Sequence, residues 1–167
     1  MKVQDKRFEI SPVLRLWCFY PEINVDFRGE NVEAWREDFW EGHTFVQCSF
    51  SVSTKDTLRG LHGDDFTDKL VFCTLGRVYL VVVEPNSRKW ESFIIDDKRR
   101  MQVLIPKGYL NGHLCLSDMC IFTYMLTATF QGVDEQMTRR WDDPAYGIWW
   151  PISNPRLSER DAKAEFV

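Results

Sequence analysis

Apolar residues along this chain fall into short runs separated by turn-forming clusters, not into helical stripes. Runs rich in Val, Ile, Phe, Tyr and Leu cover Val13 to Phe19, Thr44 to Val52, Lys69 to Thr74, Val78 to Glu84, Lys89 to Ile94, Met101 to Ile105, His113 to Leu116 and Cys120 to Phe130. Between them stand clusters such as Glu84-Pro85-Asn86-Ser87 and Pro106-Lys107-Gly108, whose residues supply the backbone angles of a chain reversal. Short apolar runs bounded by such punctuation predict β-strands. Val78 to Val83 is apolar at every position, so both faces of that strand are expected to be buried. Helical signals are sparse. One is the short acidic stretch Val32 to Phe39. The other begins at Ser158, where Ser-x-x-Asp has the form of a capping box. The first ten residues are polar and expected to be extended. The predicted class is therefore all-β with short peripheral helices, a sandwich or barrel. Two sheets folded over one another in a jelly roll would enclose a central pocket.

Length and composition narrow the partners. A chain of 167 residues is expected to form one domain over 1–167. Lys and Arg number 21 and Asp and Glu 25, giving a net charge of −4. That acidity argues against a nucleic-acid-gripping protein, which usually carries a basic surplus. No apolar run approaches the ~20 residues of a membrane helix, and the N-terminus has no apolar core of a signal peptide. The five cysteines, at 18, 48, 73, 115 and 120, show no C-x-x-C spacing, so free and mostly buried thiols in a cytoplasmic protein are expected. The three histidines, at 43, 62 and 113, are widely spaced with no H-x-H, which argues against a metal site.

The most informative string is Thr57-Leu58-Arg59-Gly60-Leu61-His62. A Gly between a cation and an imidazole lets the backbone turn tightly, so that Arg59 can fork onto an anion while His62 points elsewhere. Lys69 opens an apolar strand seven residues on. Facing inward, it would be aimed at a developing oxyanion. Taken singly, Lys69 reads as a solvated strand end and His62 as a satisfied loop histidine.

Taken in order, these residues and others along most of the chain resemble the dTDP-4-dehydrorhamnose 3,5-epimerase family. Asp26-Phe27-Arg28-Gly29 through Glu33 is similar to its N-terminal element, and Phe45-Val46-Gln47 precedes a Ser-rich strand (Ser49, Ser51, Ser53) as in the family. Leu58 to His62 is its signature; Lys69-Leu70-Val71, Gln102 to Gly108, Leu116-Ser117-Asp118, Tyr124, Trp141 to Pro144, Ile148 to Pro151 and Leu157 to Asp161 follow in order. The resemblance implies a cupin-type jelly roll that epimerises nucleotide-linked 4-keto-6-deoxy sugars at C3 and C5, in a cytoplasmic homodimer with exchanged N-terminal segments, using no metal or organic cofactor. It implies His62 as base, Asp161 as the carboxylate that orients it, Lys69 as the cation at the enolate oxygen and Tyr124 as the acid on the opposite ring face. It implies Arg59 and Arg28 on the diphosphate, and Glu33, Gln47 and Ser49 as further substrate contacts. The chemistry agrees: a C4 ketone acidifies the C–H bonds at C3 and C5, and a neutral imidazole suits their deprotonation.

Three departures stand out. Asn111 occupies the place of a second active-site histidine, leaving a polar group able to hydrogen-bond substrate. His113, two residues on, shares its face on a strand but is expected to be core. The loop after the signature is Gly63-Asp64-Asp65-Phe66-Thr67-Asp68, read as a solvated turn or as altered sugar recognition. Phe130 stands where the family carries a tyrosine. The Asn111-Gly112-His113 string and the Gly63-Asp64 loop resemble those of a branch acting on GDP-linked 4-keto heptoses for bacterial capsules. A C3-only or C5-only epimerase and a 3,4-ketoisomerase remain close alternatives. A non-catalytic sugar-nucleotide-binding cupin has no need of a base, its orienter, a cation and an acid together.

Overall fold

A computed structural model describes residues 7–167. In chain order its strands are β1 (Phe8–Ile10), β2 (Trp17–Phe19), β3 (Ile23–Asp26), β4 (Gly29–Val32), β5 (Gln47–Thr54), β6 (Leu58–Gly63), β7 (Lys69–Leu75), β8 (Arg77–Glu84), β9 (Lys89–Asp96), β10 (Gln102–Ile105), β11 (Leu110–Cys115), β12 (Met119–Leu126) and β13 (Met137–Thr138). One short helix, α1 (Glu159–Ala162), follows them. A six-stranded sheet runs β1-β2-β10-β7-β12-β5, a five-stranded sheet runs β13-β6-β11-β8-β9, and β3-β4 form a separate ribbon. Strand pairing within these sheets is antiparallel. This is the all-β jelly roll expected from the spacing of short apolar runs. Among the described residues no helix is long and apolar enough to cross a membrane.

The two large sheets face one another across a core that includes Val71 and Cys73 of β7, Val78, Leu80 and Val82 of β8, Ile95 of β9 and Phe122 of β12. The alternate residues of β8, Tyr79, Val81 and Val83, point the other way and pack under Trp141, Tyr146 and Trp150. That second layer explains the unbroken apolar run: β8 is covered on one face by the opposite sheet and on the other by the segment after β13. The outer face of the six-stranded sheet is closed by Phe39 and Trp40 packed on Phe19, Leu70 and Leu104. Of the thiols, Cys18, Cys73, Cys115 and Cys120 are buried and Cys48 is exposed.

Several expected boundaries shift. The run from Val13 becomes a strand only at Trp17, because Glu91 Oε2 accepts hydrogen bonds from Ser11 Oγ (2.7 Å) and Leu14 N (2.8 Å) and holds a turn there. Val32 to Phe39 is not a helix. Its start belongs to β4, and only Glu37–Phe39 winds into a single 3-10 turn. Burial of Phe39 and Trp40 against the sheet fixes that segment. The β3–β4 ribbon was not legible as strands, since Val25 and Phe27 are exposed and no inward–outward alternation marks it. Strand β12 ends at Leu126, short of Phe130. The chain beyond it departs from the sheet, with Phe130 N donating to Gln47 Oε1 at 2.9 Å.

Candidate active site

The signature string is a strand, not a turn. Along β6 and β11, Asn111 lies opposite His62 and His113 opposite Arg59, so three steps on β6 match two on β11. This β-bulge re-aims the side chains. Arg59 and His62, which a regular strand would send to opposite faces, both line one cavity. The expectation that His62 points away from Arg59 is thereby corrected. Glycine is required at the bulge: Gly60 has φ +135°, and a Cβ there would lie 2.4 Å from the Gly112 Cα.

The cavity, about 420 Å³, opens between the two sheets. It collects His62 from β6, Lys69 from β7, Asn111 and His113 from β11, Tyr124 from β12 and Asp161 from α1. His62 and Tyr124 come from opposite sheets and form facing walls. Asp161 is delivered by the capping box: Ser158 caps α1 and its Oγ accepts from Asp161 N at 3.1 Å.

The His62 Nε2 and Asp161 Oδ1 are 2.7 Å apart, with the carboxylate side chain only 3% exposed. Gly60 N donates to Asp161 Oδ2 at 3.4 Å. Burial works to raise the Asp161 carboxyl, but the hydrogen bond and charge of His62, helped by Gly60 N–H, hold it below the ordinary carboxylate range. An ionised carboxylate only accepts hydrogen bonds, so Nε2 carries a proton in either state of the ring, and in the neutral ring the lone pair is on Nδ1.

Lys69 is not a solvated strand end. Its side chain is 10% exposed and its Nζ lies 3.4 Å from Asp64 Oδ2. Burial pulls its ammonium below the ordinary lysine range, and Asp64 pushes back. Asp64, read from sequence as part of a solvated turn, is itself buried. His113 is fully enclosed and stacked on Phe122 with ring centroids 4.0 Å apart. Burial first, then the charges of Arg59 and His62, push its imidazole down to about 3, against a smaller opposing effect of Asp161. Its Nε2 and the Asn111 Oδ1 are buried without a hydrogen-bond partner among the described residues.

The remaining candidates divide. Arg59 donates to Ser53 Oγ (3.0 Å) and Val52 O (3.3 Å) at the cavity rim. Gln47 and Ser49 line the β5 side, with Gln47 Nε2 donating to Ser49 Oγ at 3.0 Å. Arg28 and Glu33 lie outside this cavity, on exposed chain, where Arg28 grips Asp26 and Glu33 pairs with Arg36. Among the charged lining residues, sequence reasoning missed two. Asp64 was hidden among three carboxylates of a polar loop. Arg160, beside Asp161, lines the cavity with its guanidinium held by Thr138 and by Gln136 Oε1 (3.1 Å).

The family model described as dTDP-4-dehydrorhamnose 3,5-epimerase matches residues 11–167. The enzyme of that name from Escherichia coli K12 is 36% identical over 94% of this chain and 90% of its own length. Among solved structures, the dTDP-6-deoxy-D-glucose-3,5-epimerase of Legionella pneumophila in complex with dTDP-4-keto-L-rhamnose has a TM-score of 0.88 at 30% identity, covering 95% of this chain and 91% of that one. A 3'-monoepimerase from Streptomyces bikiniensis in complex with dTDP-quinovose has a TM-score of 0.84 at 28% identity, covering 90% and 83%.

Proposed function

The chain belongs to the dTDP-4-dehydrorhamnose 3,5-epimerase family and is an epimerase of nucleotide-linked 4-keto sugars; on that premise we propose that it inverts C3 and C5 through an enolate, with His62 as base and Tyr124 as acid. The observation that carries this reading is the His62–Asp161 pair at 2.7 Å, on the wall facing Tyr124.

The geometry supports the following chemistry. His62 Nδ1 removes the proton on the carbon next to the ketone. The C–H electron pair forms a C=C bond, and the carbonyl pair moves onto the C4 oxygen. Asp161 stabilises the imidazolium that results. Lys69 offers its ammonium to the enolate oxygen, a charge that develops only in the transition state and beyond. Tyr124 donates its phenolic proton to the carbon from the other ring face, and the ketone re-forms. Solvent then takes the His62 proton and restores that of Tyr124. Delivery from the opposite wall is what inverts the centre. His113 is not a substitute base: a ring that stays neutral until about 3 cannot hold the abstracted proton at neutral pH.

Arg59 binds the diphosphate, and Gln47, Ser49 and Asn111 contact the sugar. Arg28 and Glu33 serve a neighbouring subunit's site in a homodimer that exchanges N-terminal segments, each subunit being one cupin domain. The enzyme works in the cytoplasm, in surface-polysaccharide synthesis. The finer substrate is a GDP-4-keto-6-deoxy heptose. Its support is the buried, unpaired Asn111 Oδ1 and His113 Nε2, polar capacity that an additional hydroxyl satisfies. The likeness to a 3'-monoepimerase favours inversion at C3 alone as the second reading.

Deuterium incorporation from D2O tests the reaction and the substrate. The panel is dTDP- and GDP-linked 4-keto-6-deoxy hexose and the GDP-linked heptose, read by mass spectrometry and NMR. Label at C3 and C5 is expected; label at C3 alone establishes the second reading. No label with any substrate, in folded protein that binds them, overturns the catalytic assignment.

A further inference from the structure

The β6–β7 loop carries a buried carboxylate for which the proposed acid–base chemistry has no task. Gly63 ends β6 so close to the β10–β11 connection that a Cβ on it would lie 2.3 Å from the Tyr109 carbonyl oxygen. The next residue is pinned there as well, with Gly108 N donating to Asp64 O at 2.7 Å. Its side chain then turns inward. Asp64 Oδ1 accepts from Thr67 N (2.6 Å) and Phe66 N (3.2 Å), which commits that oxygen to the loop. The other oxygen, Oδ2, faces Lys69 Nζ at 3.4 Å. Side-chain exposures of 5% and 10% leave this pair little water.

A lone ammonium in such a place would hold its proton less firmly, because burial disfavours the charged form. Other titratable groups line the same cavity: Arg59 and His62 from β6, His113 from β11, Tyr124 from β12, and Arg160 and Asp161 from α1. Among the described residues, Asp64 supplies the one carboxylate in ion-pair range of Lys69. An ammonium has three N–H donors, so one partner leaves the others for the cavity.

We propose that Asp64 is a positioning residue: it aims the Lys69 ammonium at the reaction volume and keeps it charged there, so that Lys69 meets the enolate oxygen as a cation. This rests on the enolate chemistry proposed above. It assigns a task to the loop that replaces the usual residues after the signature histidine, and makes the charge of Lys69 depend on that loop's carboxylate.

The test is the pH dependence of solvent-deuterium exchange by the full chain on whichever panel substrate exchanges fastest, comparing wild type with Asp64→Asn and Asp64→Glu. Lys69 is titrated in parallel by NMR on carbon-labelled lysine, assigned with Lys69→Arg. Asn keeps an oxygen for the Phe66 and Thr67 N–H groups, so the turn persists while the charge goes. In Asp64→Asn the Lys69 midpoint and the alkaline limb of kcat are expected to fall together by about one pH unit, giving about a tenfold loss of kcat on the alkaline side, with KM changed less than about twofold. Asp64→Glu restores the midpoint. Should the Asn variant not fold, Asp64→Ser, which also keeps an acceptor for the turn, is read in its place. An unchanged Lys69 midpoint overturns the inference, as does a uniform loss of kcat with the limb in place. If wild type exchanges no substrate, the proposed function fails, and the Lys69 titration still decides whether Asp64 holds the charge.

Discussion

Replacing His113 with Phe should flatten the acid side of the stability curve. The imidazole is 4% exposed and stacked on Phe122, so a phenyl ring preserves the stacking while removing the titration. In the unfolded chain the ring titrates at the ordinary 6.5, and in the fold it is pushed down to about 3, chiefly by burial. The unfolded state therefore binds the extra proton first. Stability is fully present above 6.5 and drains away as pH falls from 6.5 towards 3. At about pH 5 the unfolded ring is almost fully protonated and the native one almost not at all, a difference of roughly 1.5 pH units or about 2 kcal/mol. At about pH 7 the same difference is only ~0.2 kcal/mol. A native value one unit higher changes the pH 5 figure little, because the ring is still neutral there. Urea titrations at both pH values read the effect. Wild type should lose about 2 kcal/mol more than His113→Phe between them, about 1 M in midpoint. Equal pH dependence in the two proteins, or an NMR titration of His113 near 6, would refute the reasoning.

The other predictions concern the reaction. His62→Asn should abolish deuterium incorporation, by more than about 10³-fold, while circular dichroism stays native; retained exchange would show that another group is the base. Tyr124→Phe should spare exchange better than inversion, with label washing in at unchanged configuration, and equal loss of both would remove Tyr124 as the opposite-face acid. Asp161→Asn should cost roughly 10²–10⁴-fold in kcat, since an amide can offer Nε2 a donor and reverse the tautomer; kcat within about threefold of wild type would dismiss the orienting role. Ser158→Ala should destabilise by about 1 kcal/mol and lower kcat through Asp161, a link lost if stability falls alone.

Much of the molecule was legible where one rule dominated. The unbroken apolar run of β8 foretold burial on both faces, and Ser158 with Asp161 foretold the capped helix. The motif residues His62, Lys69, Tyr124 and Asp161 meet in one cavity, although they span 99 positions from His62 to Asp161. Local signals failed where tertiary contacts decide. The acidic stretch after Val32 has helical composition, but the burial of Trp40 overrides it. The bulge that turns Arg59 and His62 to the same side depends on Gly112 of another strand, and no spacing within the signature reveals it. Asp64 looked like a solvated loop acid because its partner Lys69 approaches through the fold of the loop, not along a strand.

The long sequence separation between His62 and Asp161 also has a consequence for how the protein comes into being. At about 5–20 residues per second of synthesis, roughly 5–20 s separate the appearance of the imidazole from that of the carboxylate it meets at 2.7 Å. Through that interval the nascent chain carries a histidine without its partner, beside a sheet whose outer face still lacks Trp141, Tyr146 and Trp150. The segment that seals the outer layer is the same one that carries Asp161. Sealing of that layer and arrival of the carboxylate beside His62 are therefore one event.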